Sequence, residues 1–159
     1  MSEQQLRDLA DRAALRQLSE AYAHGVDRRE PREVADLFCE DGTLAIYEGD
    51  PDRVEPARVR VGRDEIATAL EGLSRYSVTT HFIGQHTVGL GVGGDHDRAT
   101  GETYCIAHHI SEVDGRQHDH VLSIRYLDRY VRTGTEWQFE ERRLVIDWTD
   151  ERTLGEAQR

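Results

Sequence analysis

At Val78 the hydrophobic period of this chain changes from 3.6 to 2, and that switch limits the folds open to it. Before it, apolar residues recur at helical spacing. Leu6, Leu9, Ala13, Leu15, Leu18 and Tyr22 mark an amphipathic helix over 4–24, ended by Gly25 and Val26. A short helix follows Pro31, which suits a first helical turn, with Val34, Leu37 and Phe38 as its apolar side. Asp41-Gly42 turns the chain into a strand at 43–47. The segment 48–58, with Gly49, Pro51 and Pro56, reads as a loop, and 59–61 as a brief strand. A third helix follows Gly62-Arg63-Asp64, with Ile66, Leu70 and Leu73 on its apolar face.

After the switch come four long strands, 80–90, 99–113, 118–131 and 137–148. Turn residues separate them at 91–95, Asp114-Gly115 and Thr133-Gly134. Links this short join antiparallel neighbours. Helices first and a meander last predict an α+β fold, with the helices on one face of a strongly curved antiparallel sheet. The length of 159 residues suits one domain, 1–159, with frayed tails at 1–3 and 152–159. A chain of this size buries roughly 68–70% of its unfolded surface, enough for one sizeable core.

Composition removes whole classes of function. All twenty basic residues are arginine, and asparagine is absent too. Lysine chemistry of the Schiff-base kind is therefore excluded, as are the phosphate loop of nucleotide hydrolases and the kinase strand lysine. Without asparagine there is no N-glycosylation site and no Cys-His-Asn triad. A net charge of −11 argues against nucleic-acid binding, which needs a basic stripe. Cys39 and Cys105 have no metal-binding spacing and form no disulfide framework, so a reduced, cytoplasmic setting is expected. No stretch of the sequence reads as a signal peptide or a membrane span.

The ionisable residues beside the apolar segments carry what chemistry the sequence offers. Asp27 follows the first helix, where the helix dipole favours cations. It is either a solvated loop residue or the partner of a histidine. His81 opens Thr80-His81-Phe82-Ile83-Gly84-Gln85-His86; strict alternation puts His81, Ile83, Gln85 and Thr87 on one face and Phe82, Gly84, His86 and Val88 on the other. A carboxylate beside His81 would set its tautomer and raise its basicity. In the next strand Thr103, Cys105, Ala107 and His109 share a small-residue face suited to lining a cavity, opposite the bulkier Tyr104, Ile106, His108 and Ile110. His109 is the preferred pocket residue of the adjacent pair. His118-Asp119-His120 and Asp95-His96-Asp97 read as solvated edge or turn residues, and no metal site is assigned. Arg143, on the alternate face from Leu144, is either a surface residue or a contact for an anionic group.

In order and spacing these segments resemble the SnoaL-like and scytalone dehydratase-like branch of the nuclear transport factor two-like superfamily. Four pieces carry the resemblance: Ala21-Tyr22-Ala23-His24-Gly25-Val26-Asp27 with Val34-Ala35-Asp36-Leu37-Phe38 and Asp41-Gly42; Thr80-His81-Phe82-Ile83-Gly84; Tyr104-Cys105-Ile106-Ala107-His108-His109; and Tyr126-Leu127-Asp128-Arg129-Tyr130 with Trp137-Gln138-Phe139 and Ile146-Asp147-Trp148. The resemblance implies a cone of curved sheet closed by three helices around a deep pocket. It implies an Asp27–His81 dyad, with Tyr22 and His109 as further catalytic groups and Tyr126 on a pocket-facing position. Tyr47, Cys105, Phe82 and Arg143 complete the expected substrate contacts. Dehydratase members carry an amide-bearing side chain near Tyr126, which a chain without asparagine lacks.

The expected activity is a cofactor-independent lyase or isomerase, without metal, acting on an apolar oxygenated small molecule of polyketide, aromatic or steroid-like character. Two other readings stand beside it: a non-catalytic binding module or accessory β-type subunit of a ring-hydroxylating oxygenase, and a water-activating hydrolase. Assembly as a homodimer or homotrimer through the outer face of the sheet is expected. Nucleic acid and membrane partners are not.

Overall fold

The computed structural model describes residues 1–155. Ser2 caps the first helix, α1 (Glu3–Arg28), through a reciprocal capping box with Gln5. α1 buries Leu15, Leu18, Tyr22 and Val26, whereas Leu6 and Leu9 stay exposed although they are in phase. The helix does not stop at Gly25. It continues one more turn and closes at Arg29, in the left-handed conformation with φ 62°. Gly25 has a different use: a Cβ there would lie 2.6 Å from Val34 Cγ2, so its absence lets α2 (Pro31–Asp36) pack close. α3 (Arg63–Glu71) and a 3-10 turn (Gly72–Arg75) complete the helical part.

The strands are β1 (Phe38–Glu48), β2 (Arg58–Val61), β3 (Val78–Leu90), β4 (Arg98–Val113), β5 (Arg116–Thr133) and β6 (Glu136–Thr153). They form one sheet in the order β2-β1-β6-β5-β4-β3. β3 to β6 are antiparallel neighbours, as the short turns require, and β1 joins β6 in parallel. This is the α+β cone foreseen from the change of period: a curved, open sheet with helices against one face. Within the stretches expected to fray, Arg152 and Thr153 belong to β6 and Glu3 to α1; 156–159 lie outside the described residues.

Besides an irregularity in β1 between Phe38 and Thr43, strict alternation fails at three places in β3 and β6, each a β-bulge. In β3, Gly84 and Gln85 together oppose Tyr104, because Ile83 pairs with Cys105 and His86 with Thr103. Residues past the bulge therefore change face. His86, Val88 and Leu90 turn inward with His81 and Ile83, while Gln85 and Thr87 turn out, which corrects the face assignment made by counting in twos. The bulge carbonyl of Gly84 accepts from Arg16 Nη1 at 2.6 Å, tying it to α1. In β6, Glu140 and Asp147 are the extra residues. Counting by twos from buried Phe139 reaches Arg143; the bulge at Glu140 puts Arg142 inside instead.

Candidate active site

Asp27 owes its position to the extra turn of α1. A carboxylate at a helix C-terminus is disfavoured by the dipole, and here three donors from β3 compensate. Thr79 Oγ1 donates to Oδ1 at 2.9 Å, the His81 backbone N–H donates to Oδ2 at 2.9 Å, and His81 Nδ1 lies 2.7 Å from Oδ1. Burial works against the charge, but the His81 side-chain and backbone bonds and the Thr79 hydroxyl outweigh it and hold Asp27 below the ordinary carboxylate value. An ionised Asp27 can only accept, so Nδ1 of His81 donates to it and Nε2 is the one ring nitrogen left to exchange a proton with a substrate. Arg29, the residue that ends α1, braces the junction by donating to Thr79 Oγ1, to the Val26 carbonyl and to the Tyr76 carbonyl.

His81 borders a cavity of about 360 Å³ between helices and sheet. Leu44, Ile46, Leu122, Ile124, Leu144 and Ile146 form its sheet wall, and Tyr22, Val26, Leu70 and Leu73 its helical wall. Strand register explains the arrangement. His81 pairs with Ala107, and Ala107 with Leu122, so the small residue opposite His81 lets its ring lie beside that of His109. His109 pairs with His120, and both face the cavity. The rings stand in series, with centroids 5.3 Å apart for His81 and His109 and 6.5 Å for His109 and His120. Tyr76 packs on His109 at 4.7 Å. Among the described residues no cluster of three or more His, Cys, Asp and Glu has metal-binding geometry.

Burial, then the neighbouring His81, His120 and Arg75, press His109 down to about 4, so its ring is neutral near pH 7. Its Nε2 is buried without a hydrogen-bond partner, and so is the hydroxyl of Tyr126. Burial pushes Tyr22 up to about 12 and Tyr126 well above its ordinary value, so both keep their hydroxyl protons. Two neutral donors and one neutral imidazole therefore line the same cavity as His81.

Beneath this floor lies a second polar group. Arg142 is fully buried and pairs bidentately with Asp128, its direct cross-strand partner, at 2.8 and 2.9 Å. It also donates to Ser19 Oγ at 3.1 Å. Its guanidinium lies 4.1 Å from the ring centroids of Tyr126 and Phe139 and 4.3 Å from that of Tyr22. Tyr130 donates to Asp128 at 2.9 Å, and His86 Nε2 lies 3.3 Å from the Tyr130 hydroxyl.

Of the residues proposed from sequence, the fold gathers His81, His109, Tyr22 and Tyr126 around one space, with Asp27 hydrogen-bonded to His81 and Cys105 buried in the adjoining core. Three others lie elsewhere. Phe82 is 72% exposed on the outer face, because it alternates with His81. Tyr47 packs with Ala45, Val145 and Leu127 on the opposite side of β1 from Leu44 and Ile46. Arg143 faces outward beside Glu141. His120 is no solvated edge residue: it lines the cavity, in phase with Leu122, Ile124 and Tyr126, a signal present in the sequence. Its neighbour Asp119 is buried against His108 at 2.8 Å and Arg152 at 3.4 Å. His96 with its neighbours Asp95 and Asp97 lies exposed, as expected of a turn.

The sequence profile of the SnoaL-like domain matches residues 7–143. The chain belongs to the SnoaL-like family. A search of curated proteins found no match to this SnoaL-like sequence. Among solved structures it is similar to a scytalone dehydratase-like protein from Novosphingobium aromaticivorans DSM 12444, with 23% identity, TM-score 0.76, and 93% of this chain and 91% of that one covered. It is also similar to a type 2 hexachlorocyclohexane dehydrochlorinase, LinA, at 18% identity and TM-score 0.77, covering 96% and 94% of the two chains. A LinA type 3 enzyme from Novosphingobium barchaimii LL02 aligns at 16% identity and TM-score 0.75, covering 96% and 95%. Identities this low establish a shared SnoaL-like fold. No helix among the described residues is long and apolar enough to cross a membrane.

Proposed function

We propose that this SnoaL-like chain is an acid–base enzyme, a lyase or isomerase that works with side chains alone on an apolar, oxygenated small molecule. The observation that carries the reading is the 2.7 Å contact between Asp27 and His81 at the wall of an apolar cavity. A dyad of this kind leaves Nε2 of His81 as a base for an acidic C–H, and Asp27 stabilises the imidazolium that forms. Tyr126, Tyr22 and neutral His109 are the donors for a developing enolate oxygen or a leaving group. The cavity suits a polyketide, aromatic or steroid-like skeleton. Names of similar structures, a dehydratase-like protein and a dehydrochlorinase, fit elimination as the reaction class.

The test is a panel of β-hydroxy and β-halo carbonyl compounds incubated in D₂O, with NMR detection of leaving-group loss and of deuterium at the acidic carbon. Exchange or elimination by the wild type, reduced at least about 100-fold in His81→Ala with the fold intact, supports the reading. Equal rates in the two proteins reject it.

Two further parts of the proposal concern setting. Cys39 and Cys105 are free thiols, which fits a reducing cytoplasm. A second copy of the chain is the proposed cover for the outer sheet face, where Phe82, Ile106, Ser123 and Trp148 stand in one cross-strand row.

A further inference from the structure

The mouth of the cavity has a different character from its walls. Three guanidinium groups line it, from Arg58, Arg60 and Arg75. Register fixes the first two: Arg58 pairs with Ile46 and Arg60 with Leu44, and directly opposed residues share a sheet face. Both arginines therefore stand on the side of the sheet that Leu44 and Ile46 present to the cavity. Arg75 approaches from the end of the 3-10 turn, with its guanidinium 4.8 Å from the centroid of the Tyr76 ring.

Arginine elsewhere in this acidic chain commonly has a carboxylate, as in Arg98–Glu140, Arg125–Asp147, Arg132–Asp11 and Arg142–Asp128. Among the described residues none of the three mouth arginines forms an ion pair. Arg60 donates to the Val59 carbonyl and Arg75 to the Tyr76 hydroxyl, which leaves each with unused N–H groups. Glu48 is the one carboxylate lining the same cavity, and it is paired with none of them. Three cations against one anion leave the mouth positive, in a protein whose net charge is −11. Low-dielectric walls focus such a field, and guanidinium groups hold carboxylates and phosphates through charge-assisted bonds.

We propose that the mouth is an anion subsite. The substrate is an apolar molecule carrying a carboxylate or another compact oxyanion, which Arg58, Arg60 and Arg75 hold while the apolar body fills the cavity and reaches His81. This deepens the acid–base reading, on which it rests for the role of His81 alone.

The experiment uses three probes on the full chain: 2-naphthoate, 2-naphthyl phosphate and the neutral methyl 2-naphthoate. Calorimetry gives affinity, and the ring signals of His81, His109 and His120 in ¹H–¹³C NMR report whether the cavity is occupied. The anions should bind about tenfold or more tighter than the ester, less so at raised ionic strength, and should shift the histidine signals. The two anions separate a carboxylate preference from a phosphate preference. An Arg58→Gln/Arg60→Gln/Arg75→Gln variant, checked for fold by circular dichroism, should lose the preference and bind the ester unchanged. Equal binding of ester and anions, no binding of either anion, unshifted histidine signals, or a triple variant that keeps the preference overturns the proposal. His81→Ala should keep the anion preference, so failure of the catalytic reading and failure of the subsite are distinguishable.

Discussion

The Asp27 carboxylate meets His81 twice, through Oδ1 at the ring Nδ1 and through Oδ2 at the backbone N–H. The second bond fixes the strand that carries the ring, so orientation is set before the ring rotates. Asp27→Asn keeps the shape but removes the charge, and the amide cannot satisfy all three donors as acceptor. Turnover should fall about 10²–10⁴-fold. Thr79→Val, which removes one donor, should cost about tenfold, as expected of a lost hydrogen bond to a charged group. Steady-state rates with whichever compound of the panel reacts are the measurement; an Asp27→Asn enzyme at wild-type rate would falsify the dyad.

Buried His109 makes stability depend on pH. The unfolded chain takes up this proton near 6.5, whereas the folded one resists until about 4. Between those values the unfolded state binds more protons, so the contribution is complete above 6.5 and is lost as pH falls towards 4. The loss amounts to about 3 kcal/mol at most. Asp27, held below its ordinary 3.8, adds a loss of the same sign at lower pH. Thermal melts from pH 7 to 4 should show a steeper fall for wild type than for His109→Gln. Parallel curves would show that another group sets the dependence.

Asp128 and Arg142 are both fully enclosed. Asp128→Ala strands a guanidinium in the core and should cost about 3–5 kcal/mol in urea unfolding. Replacing both, as Asp128→Leu with Arg142→Met, should recover most of that, because the pair loses on desolvation much of what it gains in attraction. A double variant as unstable as the single one would mean that Ser19, Tyr130 and the surrounding rings depend on the charge itself.

On the outer face, Phe82 and Trp148 are 72% and 53% exposed. Isolated apolar residues on a surface are ordinary; a row of them is what the proposed second copy would cover. Light scattering should give an oligomer for the wild type and a monomer for Phe82→Glu/Trp148→Glu. A monomeric wild type removes the proposal.

The order and type of the elements were legible because period and turn chemistry are local. So was the small-residue face of β4, on which Cys105, Ala107 and His109 all turn inward. Asp27 beside His81 was legible only through resemblance, since helix end and strand are far apart in sequence. The β6 bulge at Glu140 was hidden, with no Pro, Gly or unusual φ to betray it, whereas Gly84 inside β3 was the one local hint of the bulge it shares with Gln85. Each flips the facing of the residues beyond it. That is why His86 and Arg142 escaped notice and Arg143 drew it. Gly25 misled for another reason: glycine ends helices through a positive φ, but also permits close packing, and sequence alone does not separate the two uses.

The bulge at Gly84 makes β3 two reading frames on one strand. Before it, His81 serves the cavity; after it, His86 serves the sealed network around Tyr130 and Asp128. Were Gln85 paired regularly with β4 instead of bulged, the frames would merge and His86 would point at solvent with every amino acid unchanged. Pairing, at this one position, carries as much chemical meaning as residue identity.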